Sequence, residues 1–203
     1  MEVTIKVNKV DLNDWGSTAP IFEELITKIK PKHIIEVGTW KGASAIHMAS
    51  LVKKHTLDCK ITCVDTWLGA LEFHLDPITP RDLKLVDGYP SVYYQFLYNI
   101  REKGHDDIIT AFPNTSSIAA WYFKAKNIKA DLIYVDGSHE YPDVISDIHS
   151  YLPLLNDGGV LFGDDHTKEW PGVVQAYKEA CEIYHAIPVV IRNNYWVLQK
   201  PTS

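Results

Sequence analysis

The sequence has few cysteines, no long apolar run and no excess of basic residues. Its 203 residues include three cysteines, Cys59, Cys63 and Cys181, which share no recurring spacing. This number argues against a disulfide framework and favours buried thiols. No window approaches the roughly 18 consecutive apolar residues of a membrane span, and residues 1–10 lack the apolar core of a signal peptide. We therefore expect a cytoplasmic protein with no membrane partner.

Acidic residues outnumber basic ones, 26 against 20, which leaves a formal charge of −6. This balance argues against an electrostatic partner such as nucleic acid or an anionic membrane. Eleven glycines and eleven prolines are too few for a collagen-like or low-complexity chain. Aromatic and imidazole side chains are plentiful, with six Trp, eleven Tyr and nine His. Such side chains often line a small-molecule pocket.

Apolar periodicity predicts strands that alternate with helices. The predicted strands are 33–37, 61–64, 108–111, 132–135, 160–162, 187–191 and 195–198. The predicted helices are 18–30, 44–53, 91–103, 116–126, one with Val144 and Ile148 on its buried face, and 171–181. Only 66–90 lacks a clear period. This order predicts a single α/β domain over 1–203 with a doubly wound, seven-stranded, mostly parallel sheet. The last strand should be antiparallel, because its connection is short.

A turn with two glycines follows the first predicted strand, at the end where open parallel sheets bind ligands. Gly38 and Gly42 allow the backbone to approach a ligand, and the next helix presents free N–H groups. Trp40 stands where the second glycine of a GxGxxG phosphate motif would be, so a dinucleotide is disfavoured. A tight turn without a ligand is the alternative.

Two carboxylates accompany this turn. Asp65 ends the second predicted strand, where it could accept both hydroxyl protons of a ribose or remain a solvated loop residue. Glu36 lies near the end of the first strand, and an unpaired carboxylate buried there would be costly. We expect a cationic or hydrogen-bond-donating group beside it. The pair fits a nucleoside that carries an amino-acid moiety better than a diphosphate.

Three aspartates end the fourth and fifth predicted strands. Asp136, Asp164 and Asp165 would repel one another unless they were protonated or bridged by a cation. Their oxygens suit Mg²⁺, Ca²⁺ or Mn²⁺, with helix capping as the alternative. His139 lies close to Asp136 in the chain and is the candidate general base, although a lone histidine is often structural. His166 is a weaker candidate for a ligand or polar contact.

Together these segments resemble the class I S-adenosylmethionine-dependent methyltransferases, and among them the small metal-dependent O-methyltransferases of the methyltransferase family 24 type. The resemblance rests on IIEVGTWKGASAIHMA, CVDTW, DLIYVDGSHEY and LLNDGGVLFGDDH, and it covers 34–166. It implies a Rossmann-like fold in one methyltransferase domain over 1–203. It also implies an insertion or lid at about 66–98.

The resemblance implies S-adenosylmethionine as cofactor, a divalent metal, Mg²⁺, and His139 as the general base. The cofactor-binding residues that it implies are Glu36, Gly38, Thr39, Trp40, Gly42, Ser44, Asp65, Thr66, Ser116 and Asp136. The metal ligands that it implies are Asp136, Asp164 and Asp165. Within the cofactor set, Ser44 would hold the methionine carboxylate, Glu36 would face the amino group and Asp65 would bind the ribose.

Two positions of the sequence indicate the chemical class of the methyl acceptor. The catechol type has a lysine where His139 stands and an asparagine where Asp165 stands, whereas the macrolide-sugar type is more similar at both. This favours a small-molecule acceptor with an aliphatic or sugar hydroxyl, bound by the metal and deprotonated by His139. The aromatics of 66–98 should cover the acceptor. Alternatively they pack in the core or between subunits of a homo-oligomer.

Three other functions remain as alternatives. A metal-dependent hydrolase would use the same aspartates with water as nucleophile. It would not need Glu36, Gly42, Ser44 and Asp65. A non-catalytic S-adenosylmethionine-binding protein would keep the glycine turn and Asp65, with no reason to retain the DGSHEY and GDD strand ends together. A nucleic-acid methyltransferase is disfavoured by the net charge of −6 and by the lack of an Asn/Asp-Pro-Pro-Tyr segment.

Overall fold

A computed structural model of the chain describes residues 7–13, 17–75, 83–192 and 194–200. The strands are β1 (His33–Val37), β2 (Lys60–Asp65), β3 (Ile109–Pro113), β4 (Ala130–Val135), β5 (Leu155–Gly163), β6 (Val189–Ile191) and β7 (Tyr195–Gln199). The helices are α1 (Pro20–Ile29), α2 (Ala43–Lys54), α3 (Leu71–Leu75), α4 (Val92–Glu102), α5 (Ser116–Ala125), α6 (Tyr141–Tyr151) and α7 (Pro171–Ile183), with a 3₁₀ turn at Leu152–Leu154. Each predicted strand and helix is present, and α3 is an addition.

The seven strands form one sheet in the order β3-β2-β1-β4-β5-β7-β6. The strands β1 to β5 pair in parallel, and β7 runs antiparallel to both β5 and β6. The predicted doubly wound sheet with an antiparallel last strand is therefore confirmed. The strand order reverses between β1 and β4, which opens a crevice beyond their carboxyl ends.

Helices cover both faces of the sheet because its central strands are apolar on both sides. On one face Phe22 of α1, Met48 of α2 and Phe96 of α4 belong to one buried cluster. On the other face Phe123 of α5 and Ile148 of α6 belong to a second cluster. Burial of each such side chain stabilises the fold by about 1.5–3 kcal/mol. The two clusters thus hold the strand ends in fixed positions.

The cysteines Cys59, Cys63 and Cys181 are free and buried, as predicted. Their thiols act as small apolar groups in the two clusters. Within the described ranges, no helix has the length and apolar character needed to cross a bilayer.

Candidate active site

The turn after β1 carries the two predicted glycines. Gly38 has a φ of +81°, and a Cβ there would overlap the carbonyl of Asp136 and the Cα of Gly137. Gly42 has a φ of +89°, and its Cβ would come within 2.9 Å of the Phe96 ring. The turn therefore lies against the end of β4 and against α4. A side chain at either position would displace it.

Glu36 lies under this turn with no exposed surface. The hydroxyls of Thr39 and Ser44 donate to its two carboxylate oxygens, and the thiol of Cys63 lies 3.3 Å from Oε2. Burial raises the pKa of Glu36 to about 7, although these donors act in the opposite direction. The prediction that donors would meet this carboxylate is confirmed, and the donors are groups of the protein itself.

The raised pKa makes Glu36 a source of pH-dependent stability. Between its ordinary pKa of 4.5 and about 7, the folded state keeps a proton that the unfolded state has lost. The free energy of unfolding therefore falls as the pH rises through this window, by up to about 3 kcal/mol.

We expect Glu36→Gln to remove this dependence, so that the variant gains stability relative to the wild type between pH 5 and 8. Urea unfolding at both pH values measures the difference. Exposed Glu102→Gln is the control, and parallel pH curves for wild type and Glu36→Gln would contradict the prediction.

Asp65 connects the turns that follow three strands. Its carboxylate accepts backbone N–H bonds from Thr39 at 2.9 Å, Trp40 at 2.8 Å and Trp67 at 2.7 Å. Its carbonyl accepts the N–H of Asn114 at 3.0 Å, just after β3. Burial raises the pKa of Asp65 despite the N–H bonds. The role in holding the turns together was not predicted, because the directions of backbone N–H groups are not visible in a sequence.

Two other predicted cofactor residues follow the ends of β2 and β3. The Thr66 hydroxyl accepts the N–H of Leu68 at 3.2 Å. Ser116 begins α5, and its carbonyl accepts the Tyr151 hydroxyl at 2.9 Å. Both residues lie just after strand ends, at the edge of the sheet where the sequence predicted them. Each of them accepts a hydrogen bond from a nearby group of the protein.

The segment 66–98 divides between core and surface. Trp67 and Phe96 are buried, at 2% and 0% exposure, whereas Tyr89 is 66% exposed. Residues 76–82 lie outside the described residues. The aromatic surplus of this segment therefore serves the core in part, and a lid over an acceptor stays a prediction.

The carboxyl ends of β4 and β5 bring an acidic group together. Single ligand atoms of Asp136, His139 and Asp165 all lie within 4.8 Å of one another. Burial, with the charges of Asp164 and Asp165, raises the pKa of Asp136 to about 8. A cavity of about 10 Å³ beside these side chains has the space of about one water-sized species. Carboxylates that repel one another around such a space suit a cation.

Among the described residues, the ligand atoms that lie within 4.8 Å of one another do not include those of Asp164 or His166. Asp164 Oδ1 accepts the side-chain amide of Asn194, and its Oδ2 lies 3.5 Å from the Tyr134 hydroxyl. Burial raises the pKa of Asp164 to about 6. The His166 ring packs edge-on against Tyr177, with 5.4 Å between ring centroids. The structure thus directs Asp164 toward protein donors and His166 toward the core.

His139 is held on three sides. Its Nε2 lies 2.9 Å from Asp165 Oδ2, its Nδ1 lies 3.2 Å from Glu72 Oε1, and its ring stacks on Trp170 at 3.8 Å. Burial lowers the pKa of His139, but the hydrogen bond to Asp165 and the charges of Asp165, Glu72 and Asp136 outweigh it, so the net shift is upward. Neither Glu72 nor Trp170 was predicted from the sequence. Glu72 lies in the segment without periodicity, and Trp170 precedes a predicted helix with no signal of its own.

Residues 35–166 match the family described as a methyltransferase domain. A rhamnosyl O-methyltransferase of Mycobacterium tuberculosis is 24% identical over 190 residues, with 90% of this chain and 67% of the relative covered. The chain spans only 17% of the length of another curated relative, at 26% identity. The matched relatives are therefore longer than this chain.

Solved structures share the fold. The O-methyltransferase NovP has a TM-score of 0.68 at 16% identity, with 91% of this chain and 80% of that chain covered. The O-methyltransferase from Bacillus cereus, solved in complex with SAH, has a TM-score of 0.63 at 14% identity, with 93% and 83% covered. At these identities the likeness concerns the fold alone.

Proposed function

This chain belongs to the methyltransferase domain family, and we propose that it transfers the methyl group of S-adenosylmethionine to a hydroxyl of a small molecule or sugar. The observation that carries this proposal is the position of His139, whose ring is fixed beside Asp136 and Asp165 at the ligand-binding edge of the sheet. The rhamnosyl O-methyltransferase relative supports a sugar hydroxyl as acceptor.

The proposed cofactor site is the edge formed by the turns after β1, β2 and β3. The α2 helix begins after Gly42 without a side-chain cap from the described residues, so its first N–H groups can bind a carboxylate. In this site Asp65 would accept the ribose hydroxyls and Glu36 would face the amino group of the cofactor. The Bacillus cereus neighbour, solved with SAH, supports this cofactor class. The residues that would hold the cofactor are Glu36, Gly38, Thr39, Trp40, Gly42, Ser44, Asp65, Thr66, Ser116 and Asp136.

The proposed metal site consists of Asp136, Asp165 and, as a third ligand, Asp164. Repelling carboxylates around a water-sized cavity fit a hard divalent cation, and Mg²⁺ prefers such oxygen ligands. When bound, Mg²⁺ acts as a Lewis acid that lowers the pKa of the acceptor hydroxyl. We propose that Asp164 reorients from Asn194 toward the ion.

His139 would take the hydroxyl proton at Nε2. This nitrogen carries a hydrogen while it bonds the Asp165 carboxylate 2.9 Å away, so it would act as the base only where Asp165 serves as a metal ligand instead. The acceptor oxygen then bonds to the methyl carbon while the carbon–sulfur bond breaks, and that electron pair stays on the sulfur of SAH. The positive charge of the sulfonium is thereby replaced by that of the protonated imidazole. An in-line arrangement of oxygen, methyl carbon and sulfur requires no covalent enzyme intermediate.

Two measurements test the proposal. Calorimetry with S-adenosylmethionine should show binding, and a labelled methyl group should pass to hydroxyls in a panel of sugars and polyketides. Chelation should stop this transfer, and added Mg²⁺ should restore it. Lack of S-adenosylmethionine binding would refute the proposal, whereas transfer that survives chelation would refute its metal. Binding without transfer to any acceptor would favour a non-catalytic role.

A further inference from the structure

We propose that Glu72 is a positioning residue for His139, which it holds through Nδ1 so that Nε2 faces the acidic group of Asp136 and Asp165. This inference rests on the proposed function, in which His139 is the base. Glu72 lies in the short helix α3, far from His139 in the chain. Nothing in the sequence pattern connects the two residues.

The contacts of His139 define which nitrogen can exchange a proton. Nε2 faces Asp165, on the side where the acceptor hydroxyl would lie, and Nδ1 faces Glu72 on the opposite side of the ring. Nδ1 is buried and has no aligned hydrogen bond within the described residues. The Glu72 oxygen 3.2 Å away is the carboxylate that faces this nitrogen. Nε2 carries a hydrogen while it bonds Asp165, and a carboxylate that holds the hydrogen of Nδ1 leaves Nε2 as the nitrogen that releases and regains a proton.

The helix α3 is itself attached to the cofactor turn. Phe73, the neighbour of Glu72, stacks on Trp40 with 4.4 Å between ring centroids and an interplanar angle of 19°. No residue of α3 is buried, so this stack is a main anchor of the helix. Phe73 therefore contacts the cofactor turn, and its neighbour Glu72 contacts His139. The position of Glu72 thus depends on the Trp40–Phe73 stack.

A purely stabilising ion pair would behave differently. The Glu72 side chain is 39% exposed, and exposed ion pairs contribute little to stability. Glu72→Gln should therefore leave the melting temperature almost unchanged. A role in orienting His139 instead predicts a loss in kcat, because supporting partners of catalytic histidines typically account for about 10- to 100-fold in activity.

The test compares Glu72→Gln and Glu72→Asp with exposed Glu102→Gln. We expect Glu72→Gln to lower kcat about 10- to 100-fold with the KM for S-adenosylmethionine unchanged, Glu72→Asp to recover part of it, and Glu102→Gln to match the wild type. Phe73→Ala should lower kcat similarly, and the double variant Glu72→Gln/Phe73→Ala should be no worse than either single one. Unchanged kcat in Glu72→Gln, or additive losses in the double variant, would overturn the proposal.

A second readout does not depend on turnover. In ¹⁵N NMR of the protein with S-adenosylhomocysteine and Mg²⁺, the wild type should show a proton on Nδ1 of His139. Glu72→Gln should shift this signal toward a mixture of tautomers, while Glu102→Gln should not. An identical His139 spectrum in wild type and Glu72→Gln would refute the role of Glu72. If the wild type transfers no methyl group but the spectrum changes as expected, the proposed function fails while the contact stands.

Discussion

Replacing His139 with alanine is expected to lower kcat by about 10²- to 10⁴-fold, the range that a positioned general base contributes. The affinity for S-adenosylmethionine should stay close to that of the wild type. The reason is that His139 faces Asp165 and Glu72, whereas the proposed cofactor turn follows β1. Initial rates of labelled methyl transfer, with calorimetry on the same preparations, measure the two quantities separately.

Two further variants make the His139 result specific. His139→Gln keeps a polar side chain next to Trp170 but has no basic nitrogen, so it should lose as much activity as the alanine variant. His149→Ala removes a histidine whose partner is Tyr184, away from the acidic group, and should retain wild-type rates. A His139→Gln or His139→Ala variant with more than about a tenth of the wild-type kcat would contradict the role of His139 as base.

The fold could be predicted largely because its strong signals are local. The run at β4 is apolar at nearly every position, and β1 is apolar at three of five, as strands buried on both faces favour. The antiparallel β7 followed from its short connection to β6. Helix α3 was missed because its five residues are too few for a period and none of them is buried. Local pattern fails where an element is held by contacts with residues distant in the chain, as α3 is by Trp40 and His139.

The candidate site was predictable in composition but not in detail. Strand ends indicated which carboxylates would converge, since parallel strands share one ligand-binding edge. The sequence could not indicate that Asp165 adopts a φ of +62° and directs its carboxylate to His139, while Asp164 accepts from Asn194. Neighbouring side chains at a strand end point in different directions. The backbone φ determines which of them reaches the group formed with Asp136 and His139. The participation of Asp164 as a ligand therefore stays a prediction.

Replacing Asp136 with asparagine is expected to change activity and stability in opposite directions. Asp136 is half-buried near Asp164 and Asp165, and this environment disfavours its charged form. An amide of the same shape can still accept the Tyr134 hydroxyl, which lies 3.0 Å from Oδ2. It removes the cost of either keeping a proton on Asp136 above its ordinary pKa or placing a charge beside Asp164 and Asp165. Without a metal, the variant should therefore unfold at a higher temperature than the wild type, by about 2–4 °C for each kcal/mol of this cost.

The same substitution removes a proposed ligand of Mg²⁺. Wild-type protein should gain about 2.7 kcal/mol of stability when Mg²⁺ exceeds its Kd 100-fold, and Asp136→Asn should lose most of this gain together with methyl transfer. Thermal unfolding with EDTA and with Mg²⁺ gives both numbers, and exposed Asp106→Asn serves as the control that should change neither. A variant that is destabilised without metal would show that Asp136 is a structural carboxylate. A variant that keeps the full Mg²⁺ response would show that Asp136 is not a ligand of the ion, because loss of a ligand also removes the stabilisation that it supplies.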